Sequence, residues 1–323
     1  MSRGVILSVI LGIAVLGLIG IVSTSYAQIE TPQDKICDGE TISSGTFNSI
    51  TVLGGSTCII EDVIVLKNIK VLSTQFVIIS DSIIEGDIMI KNSFGGGSIY
   101  ISDSTINKNV KMTQSDHTSI SLFESTVGKN LILKDQIIGE IDIENSHIGH
   151  DIQIENNNMD GDLKLESSII LGKTDIKNNI GHERIALEFN TFGKNLKISE
   201  NDIDDSIQVT LNTIEGKLDI KNNNLGDLEV GENTINKDLK ISNNQMTAGI
   251  TVYDNHVNKK IHISKNQMSQ FWIIDNISNS KIKVNNNDIE RFFACQNNLP
   301  EPVLKKNTFA GQDFNDCTIV GIP

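Results

Sequence analysis

The chain has 323 residues, with 41 Asp and Glu against 27 Lys and Arg and a formal net charge of −14. Only three of the cations are Arg (Arg3, Arg184 and Arg291), so a chain this acidic is expected to be a poor nucleic-acid binder, and no nucleic-acid partner is expected. What such an acidic excess serves is solubility, cation binding or salt tolerance.

Arg3 is the only early charge, and Val5 to Val22 forms one apolar run interrupted only by Gly and Ser8. The run is followed by "STSYA", whose Ser25 and Ala27 are the small residues of a cleavage site. This is a secretory signal layout, cleaved after Ala27. A run of about 18 residues also reaches across a bilayer, so a retained N-terminal membrane anchor is the alternative for residues 1–27. Either way the mature chain is expected outside the cytoplasmic membrane, secreted or anchored at the cell surface. Its membrane contact is confined to this segment.

The rest of the chain repeats itself. Each unit is apolar at a zero position and at +2, carries Asn or Ser at +5, and is apolar again at +7. Zero positions run through Leu131, Ile141, Ile152, Leu163, Thr174 and Ile185 to Phe271, Ile282 and Phe292, in steps of 10 or 11. Alternation at 0 and +2 predicts a short strand, and Asn, Gly and Asp interrupt any helical period. Each unit therefore reads as one strand and one polar turn. Alternate units carry a Lys before the strand, as at Lys173, Lys194 and Lys217, whereas others begin "GD" or "GE", as at Gly161 and Gly226. Two halves of 10–11 residues thus make one coil of 21–22 residues, the length of a single turn of a parallel β-solenoid. Parallel crossovers are right-handed in nearly all proteins. The predicted fold is all-β, a right-handed single-stranded parallel β-helix.

The +5 column reads Asn179, Asn190, Asn201, Asn212, Asn223, Asn233, Asn244, Asn255, Asn266, Asn276, Asn287, Asn297 and Asn307, preceded mainly by Ser from Ser82 to Ser168. Asn tolerates left-handed turns, and its amide both donates and accepts. Stacked at a strand spacing of about 4.8 Å, these side chains predict a structural amide ladder. A ligand-binding row is the weaker reading, because a site has no use for so many copies.

Strings such as "GDLKLESSII" and "GKLDIKNNNL", within repeats spanning about Ile64 to Phe309, resemble the right-handed parallel β-helix proteins of the pectin-lyase-like superfamily. That resemblance implies architecture more than activity, because the superfamily holds lyases, hydrolases, adhesins and surface proteins. "LGDLEVGENTI" also fits the leucine-rich-repeat core, but here both halves of the coil look alike, which predicts a straight rod and not a horseshoe. Residues 28–63, with "CDGETISSGTFNSITVLGGSTC", are similar to the N-terminal opening of secreted β-helix proteins and read as a cap. Residues 64–300 form the β-helix, and residues 301–323 read as a C-terminal cap.

Four cysteines fall in two pairs, Cys37 with Cys58 and Cys295 with Cys317, separated by 21 and 22 residues. Residues one coil apart stack at about 5 Å, within disulfide reach. Disulfides Cys37–Cys58 and Cys295–Cys317 are therefore expected as staples at the two ends, where a solenoid's core is uncovered. Zinc is disfavoured by the absence of CxxC spacing.

Chemistry is sought where the pattern is charged or broken. Glu144, Glu166 and Glu188 occupy +3 in three successive coils and are expected to stack outward, with Asp142, Glu140, Asp162, Lys164 and Arg184 beside them. Hard oxygen ligands at this spacing suit calcium. By resemblance to β-helix polysaccharide lyases, the carboxylates would hold the ion and Arg184 would serve as the base. The plain reading is a solvated acidic face. "NDIDD" and "GHER" look like fragments of galacturonase motifs in reversed order, so no catalytic residue is carried over. His147, His150 and Asp151 read as a turn. Trp272 and Phe293, with Tyr253 one coil earlier, are expected to stack outward as a sugar or protein platform, taking Phe271 and Phe292 as inward. "NIS" at Asn276 is a glycosylation sequon that falls inside the ladder. The functional expectation is an extracytoplasmic structural or binding rod that contacts polysaccharide or other envelope proteins, without a cofactor other than calcium. A calcium-assisted lyase or glycoside hydrolase is the alternative.

Overall fold

The computed structural model describes residues 31–309 apart from 56, 73–74 and 95, together with the backbone of 318–319. The N-terminal signal or anchor and Cys317 lie outside the described residues. Among those described, strands and turns build an all-β parallel solenoid of about 13 turns, and there is no helix. Every pairing is parallel, as stacking one coil on the next requires.

One coil shows the path. Leu218–Lys221 lies in a 15-stranded sheet, the first sheet, and pairs with Leu239–Ser242 of the next coil. The chain then turns at Asn222 and Asn223 into Asn224–Gly231, which belongs to a 27-stranded second sheet. A second turn at Glu232 and Asn233 leads into Thr234–Ile235 and back to the first sheet. Each half coil therefore contains a four-residue long strand, a corner and a two-residue short strand. The short strands escape a search for alternation because two residues carry no period. They nonetheless pair from coil to coil, as Thr213–Ile214 does with Thr234–Ile235.

The core is the stack of inward positions. Leu218, Ile220, Leu228, Val230 and Ile235 are essentially without solvent exposure, each contributing about 1.5–3 kcal/mol of burial. At each corner one residue adopts left-handed backbone, from Asp81 through Lys306 at intervals of 9–11 residues. Some of these positions hold residues for which that conformation costs about 1–2 kcal/mol: Phe189 (φ 57°), Leu211 (φ 60°) and Lys265 (φ 58°). The hydrogen bonds of the next residue, a rung of the ladder, impose it.

The ends differ from expectation in two ways. Strands of the N-terminal segment already belong to the sheets, because Asp34–Cys37 pairs with Ser49–Val52 and Thr41–Phe47 with Thr57–Val65. Val303–Lys305 and Thr318–Ile319 continue the first sheet at the other end. Cys37 and Cys58 are joined, as expected, with Cα atoms 6.1 Å apart. They do not stack in one column, however. Cys37 lies in the first sheet and Cys58 in the second, because the opening coil is shorter than 21 residues and shifts the register. The bond thus ties the two sheets to each other across a corner. Cys295 is buried and also disulfide-bonded.

Candidate functional site

Three features carry the chemistry of the coil: the buried amide ladder, the acidic column, and a concavity beside the aromatic residues.

The ladder runs inside the corners. Asn223 Oδ1 accepts from the Asn201 backbone N–H (3.0 Å) and from Asn201 Nδ2 (3.0 Å). Asn223 Nδ2 donates to Ile198 O (3.2 Å) and to Asn244 Oδ1 (2.9 Å). The pattern recurs from Asn157 to Asn307, including Asn212, Asn233, Asn255 and Asn266, and the side chains from Asn179 to Asn287 are at most 2% exposed. A side chain so enclosed offers nothing to a ligand. The sequon Asn276 donates to Asn298 Oδ1, Val252 O and Ile274 O, so its amide is not available for glycosylation in the folded chain.

One member of the column differs from expectation. Asn298 occupies the rung after Asn276, and Asn297 takes the left-handed corner instead. The register between the last two long strands of the second sheet shifts at Met268 and Gln270. Phe271 therefore faces Phe293, and the expected inward residue Phe292 points out.

That shift reverses the aromatic assignment. Phe293 is fully buried and packs on Phe271 and Phe309 with ring centroids 5.3 and 5.2 Å apart. The outward partner of Trp272 is Phe292, at 5.6 Å and 45°. Tyr253 lies over Gly231, where a Cβ would collide with its ring, and its hydroxyl donates to Glu229 Oε1 (2.9 Å). Burial, reinforced by this bond to a carboxylate, pushes the phenol well above its usual range. Tyr253 thus holds Glu229 in place by this hydrogen bond.

The acidic column is present as predicted, with Glu144, Glu166 and Glu188 on consecutive rungs. Lys164 sits within it, 2.6 Å from Glu166 Oε2 and 3.7 Å from Glu144 Oε2. Its ammonium lies between these two carboxylates. The three acids beside Lys164 raise its proton affinity, chiefly Glu166 by hydrogen bond. Burial pushes the Asp142 carboxyl up, and Lys164 partly offsets this. Arg184 is held by Asp162, with Nε 3.0 Å from Oδ2 and the backbone N–H 3.2 Å from Oδ1. Among the described residues no group of three or more His, Cys, Asp or Glu side chains converges on a metal position. His147 pairs on its rung with Thr126 and Ile169.

Arg184 and Trp272 stand four rungs apart along one concavity. A concavity of about 680 Å³ on the second-sheet side is lined by Arg184, Asp205, Gln208, Asp227, Glu229 and Trp272. Its base includes Ala248 and Gly249, the smallest residues on that corner. The Gly249 N–H donates to Asp227 Oδ1 (2.8 Å), fixing that carboxylate. One wall is displaced by an extra residue, at the register shift between Ile203 and Ser206. The concavity offers an aromatic face, a guanidinium, the side-chain amides of Gln208 and Gln270, and three carboxylates. Sequence reasoning does not single out Asp205, Gln208, Asp227, Glu229 or Phe292. Outward positions on neighbouring rungs would reveal them once the bulges are placed. The chain matches no known family, no curated protein and no solved structure.

Proposed function

We propose that the solenoid is an extracytoplasmic binding rod that engages a glycan of the cell surface or envelope, with the Trp272 concavity as the contact. The observation that carries this reading is the meeting of an outward, half-buried Trp272–Phe292 pair with hydrogen-bonding side chains on an otherwise loop-free coil. An aromatic face packs against the apolar side of a sugar ring while carboxylates and amides bond its hydroxyls. Asp205, Asp227 and Glu229 would repel a polyacid, so the favoured ligand is a neutral or amino-bearing glycan. Disulfide-bonded cysteines and the apolar N-terminal run support a location outside the cytoplasm. Coil length and the inward ladder support kinship with pectin-lyase-like β-helix proteins.

Trp272 is the only tryptophan, so its fluorescence reports on the site directly. Titration with neutral, amino-bearing and acidic polysaccharides should shift the emission for one of the first two. Trp272→Ala should weaken binding, measured by calorimetry, by about tenfold. An emission unmoved by all three classes sinks the reading.

A second reading, hydrolysis or lyase chemistry, is favoured by Asp205 and Asp227. They line the same concavity, and a pair of carboxylates flanking the scissile bond is what glycoside hydrolysis uses. Release of reducing ends or unsaturated products, with calcium present, and lost in Asp227→Asn or Glu166→Gln, would establish it over the binding rod.

A further inference from the structure

The two sides of the coil carry opposite charge. Twenty-three of the 24 lysines lie on, or within two residues of, a strand of the first sheet, and Lys164 is the exception. The same zone holds 11 carboxylates among the described residues. The remainder of the described coil holds 27 carboxylates against Lys164, Arg184 and Arg291. Because the halves of a coil each turn the chain half-way round, the long strands of the two sheets face opposite directions. A net charge of −14 thus conceals a basic first-sheet side, with the acidic excess spread over the rest of the coil.

The segregation sharpens along the axis. Nine lysines between Lys237 and Lys306 are exposed on the first-sheet side, and none forms an ion pair within the described residues. Only Asp238 and Glu301 accompany them, and Asp238 is already paired with Lys217. Here His262, Lys283, Asn285, Asn286, Lys305 and Lys306 line a concavity of about 550 Å³. On the second-sheet side, residues 140–188 present eight carboxylates against Lys164 and Arg184.

We propose that this lysine-rich stripe docks on the acidic stretch of a second copy of the same chain, so that the rods associate side by side. Three physical points select that occupant. The charges are complementary. Both faces have the same rung spacing, about 4.8 Å, because both belong to one solenoid, so every rung of one copy meets a rung of the other. The stripe also lacks what other macromolecules require: it carries no Phe, Tyr or Trp on which bases stack, and no row of large apolar side chains to enter a bilayer.

Stripe and stretch are centred about five coils apart, so parallel copies are staggered and overlap over about eight coils. With long strands about 13 Å wide, each copy buries roughly 500 Å², the low end of specific interfaces. The contact is heterologous and repeats without closing. Arg184 alone is common to the stretch and the Trp272 concavity. The pairing does not rest on the glycan reading, and either proposal can fail while the other stands.

The test is sedimentation of the full chain in mild nonionic detergent, which keeps the apolar N-terminal run from associating by itself. At about 0.02 M salt, species larger than one copy are expected, and at about 0.5 M they should fall at least roughly tenfold. A reversed-stripe variant (Lys240→Glu, Lys283→Glu, Lys305→Glu) and a reversed-stretch variant (Glu140→Lys, Glu144→Lys, Glu188→Lys) should each be monomeric. Mixed together they should associate again, which misfolded variants would not do. A wild-type chain that is monomeric at low salt overturns the proposal, as does association that survives in a reversed variant or a mixture that stays monomeric. Retention on a polyanion matrix without self-association would give the stripe to a different occupant.

Discussion

Two stretches of the buried ladder solve one problem with different chemistry. From Ser82 to Ser168 on the second-sheet corner, each Oγ accepts the backbone N–H of the coil before and donates to a carbonyl two residues back in its own coil. From Asn190 onward, the amide does the first of these, reaches a carbonyl of the coil before, and also bonds the next amide. The serine stretch thus bonds neighbouring coils through backbone alone, plus one hydroxyl. The asparagine stretch adds a continuous side-chain chain between coils. Buried polar groups are stabilising only when fully satisfied, and both stretches meet that condition on this corner. Among the described ladder residues, the side-chain atoms without a partner, Ser93 Oγ and Gln136 Oε1, lie on the first-sheet corner of the earlier coils.

The hardest blow to this contrast is Asn223→Leu. It strips Asn201 N–H and Ile198 O of their partners inside the wall, and should cost about 3 kcal/mol in denaturant unfolding. A loss below about 0.5 kcal/mol would mean that the amide chain adds nothing to the stack.

Acid should act on the serine stretch first. The buried His117 ring donates from Nδ1 to Gly97 O (3.2 Å), and burial holds its pKa below the usual imidazole value. The unfolded chain therefore takes up a proton near pH 6.5 that the folded chain refuses. This contribution is complete above that value and is lost as pH falls beneath it. The thermal midpoint should drop on acidification, and His117→Leu should flatten the drop. An unchanged slope in that variant would assign acid sensitivity to other groups.

The smallest effect is also the most pointed. Ser168→Asn places an amide directly before Asn190, where it can donate to Asn190 Oδ1 and reach Ile143 O, as Asn190 reaches Leu165 O. It should stabilise by about 0.5 kcal/mol, raising the midpoint by about 1–2 °C. A lower midpoint would show that the serine coils pack too closely to admit the larger side chain.

Much of this architecture is legible in the sequence because the inward positions repeat. Leu239, Ile241 and Met246 fill the core as their spacing predicts, and the ladder grows from Asn244 and its equivalents. The corner residues are not legible, since Phe189, Leu211, Glu232 and Lys265 share no chemistry and are forced into left-handed backbone by the ladder residue after each. The pattern misplaces the aromatic platform by one residue because both Phe292 and Phe293 satisfy it. Only the pairing of Phe271 with Phe293 distinguishes them. The pairing of Cys37 with Cys58 is right for a reason that does not hold, since an irregular opening coil brings together strands of two sheets. The concavity is hidden for the same cause: extra residues at single coils displace side chains that the repeat alone cannot locate.

The ladder has an orientation as well as a pattern. From Asn157 to Asn287, one Nδ2–H of each rung bonds the Oδ1 of the next coil, while its own Oδ1 accepts from the coil before. Side-chain dipoles held in one sense add along an axis, as peptide dipoles do in a helix. Two such columns run the length of the asparagine coils, shielded from water, so the protein is electrically directed, with partial positive charge at the C-terminal end and partial negative charge toward the serine coils. The two ends of the solenoid are therefore inequivalent to any charged group that approaches them.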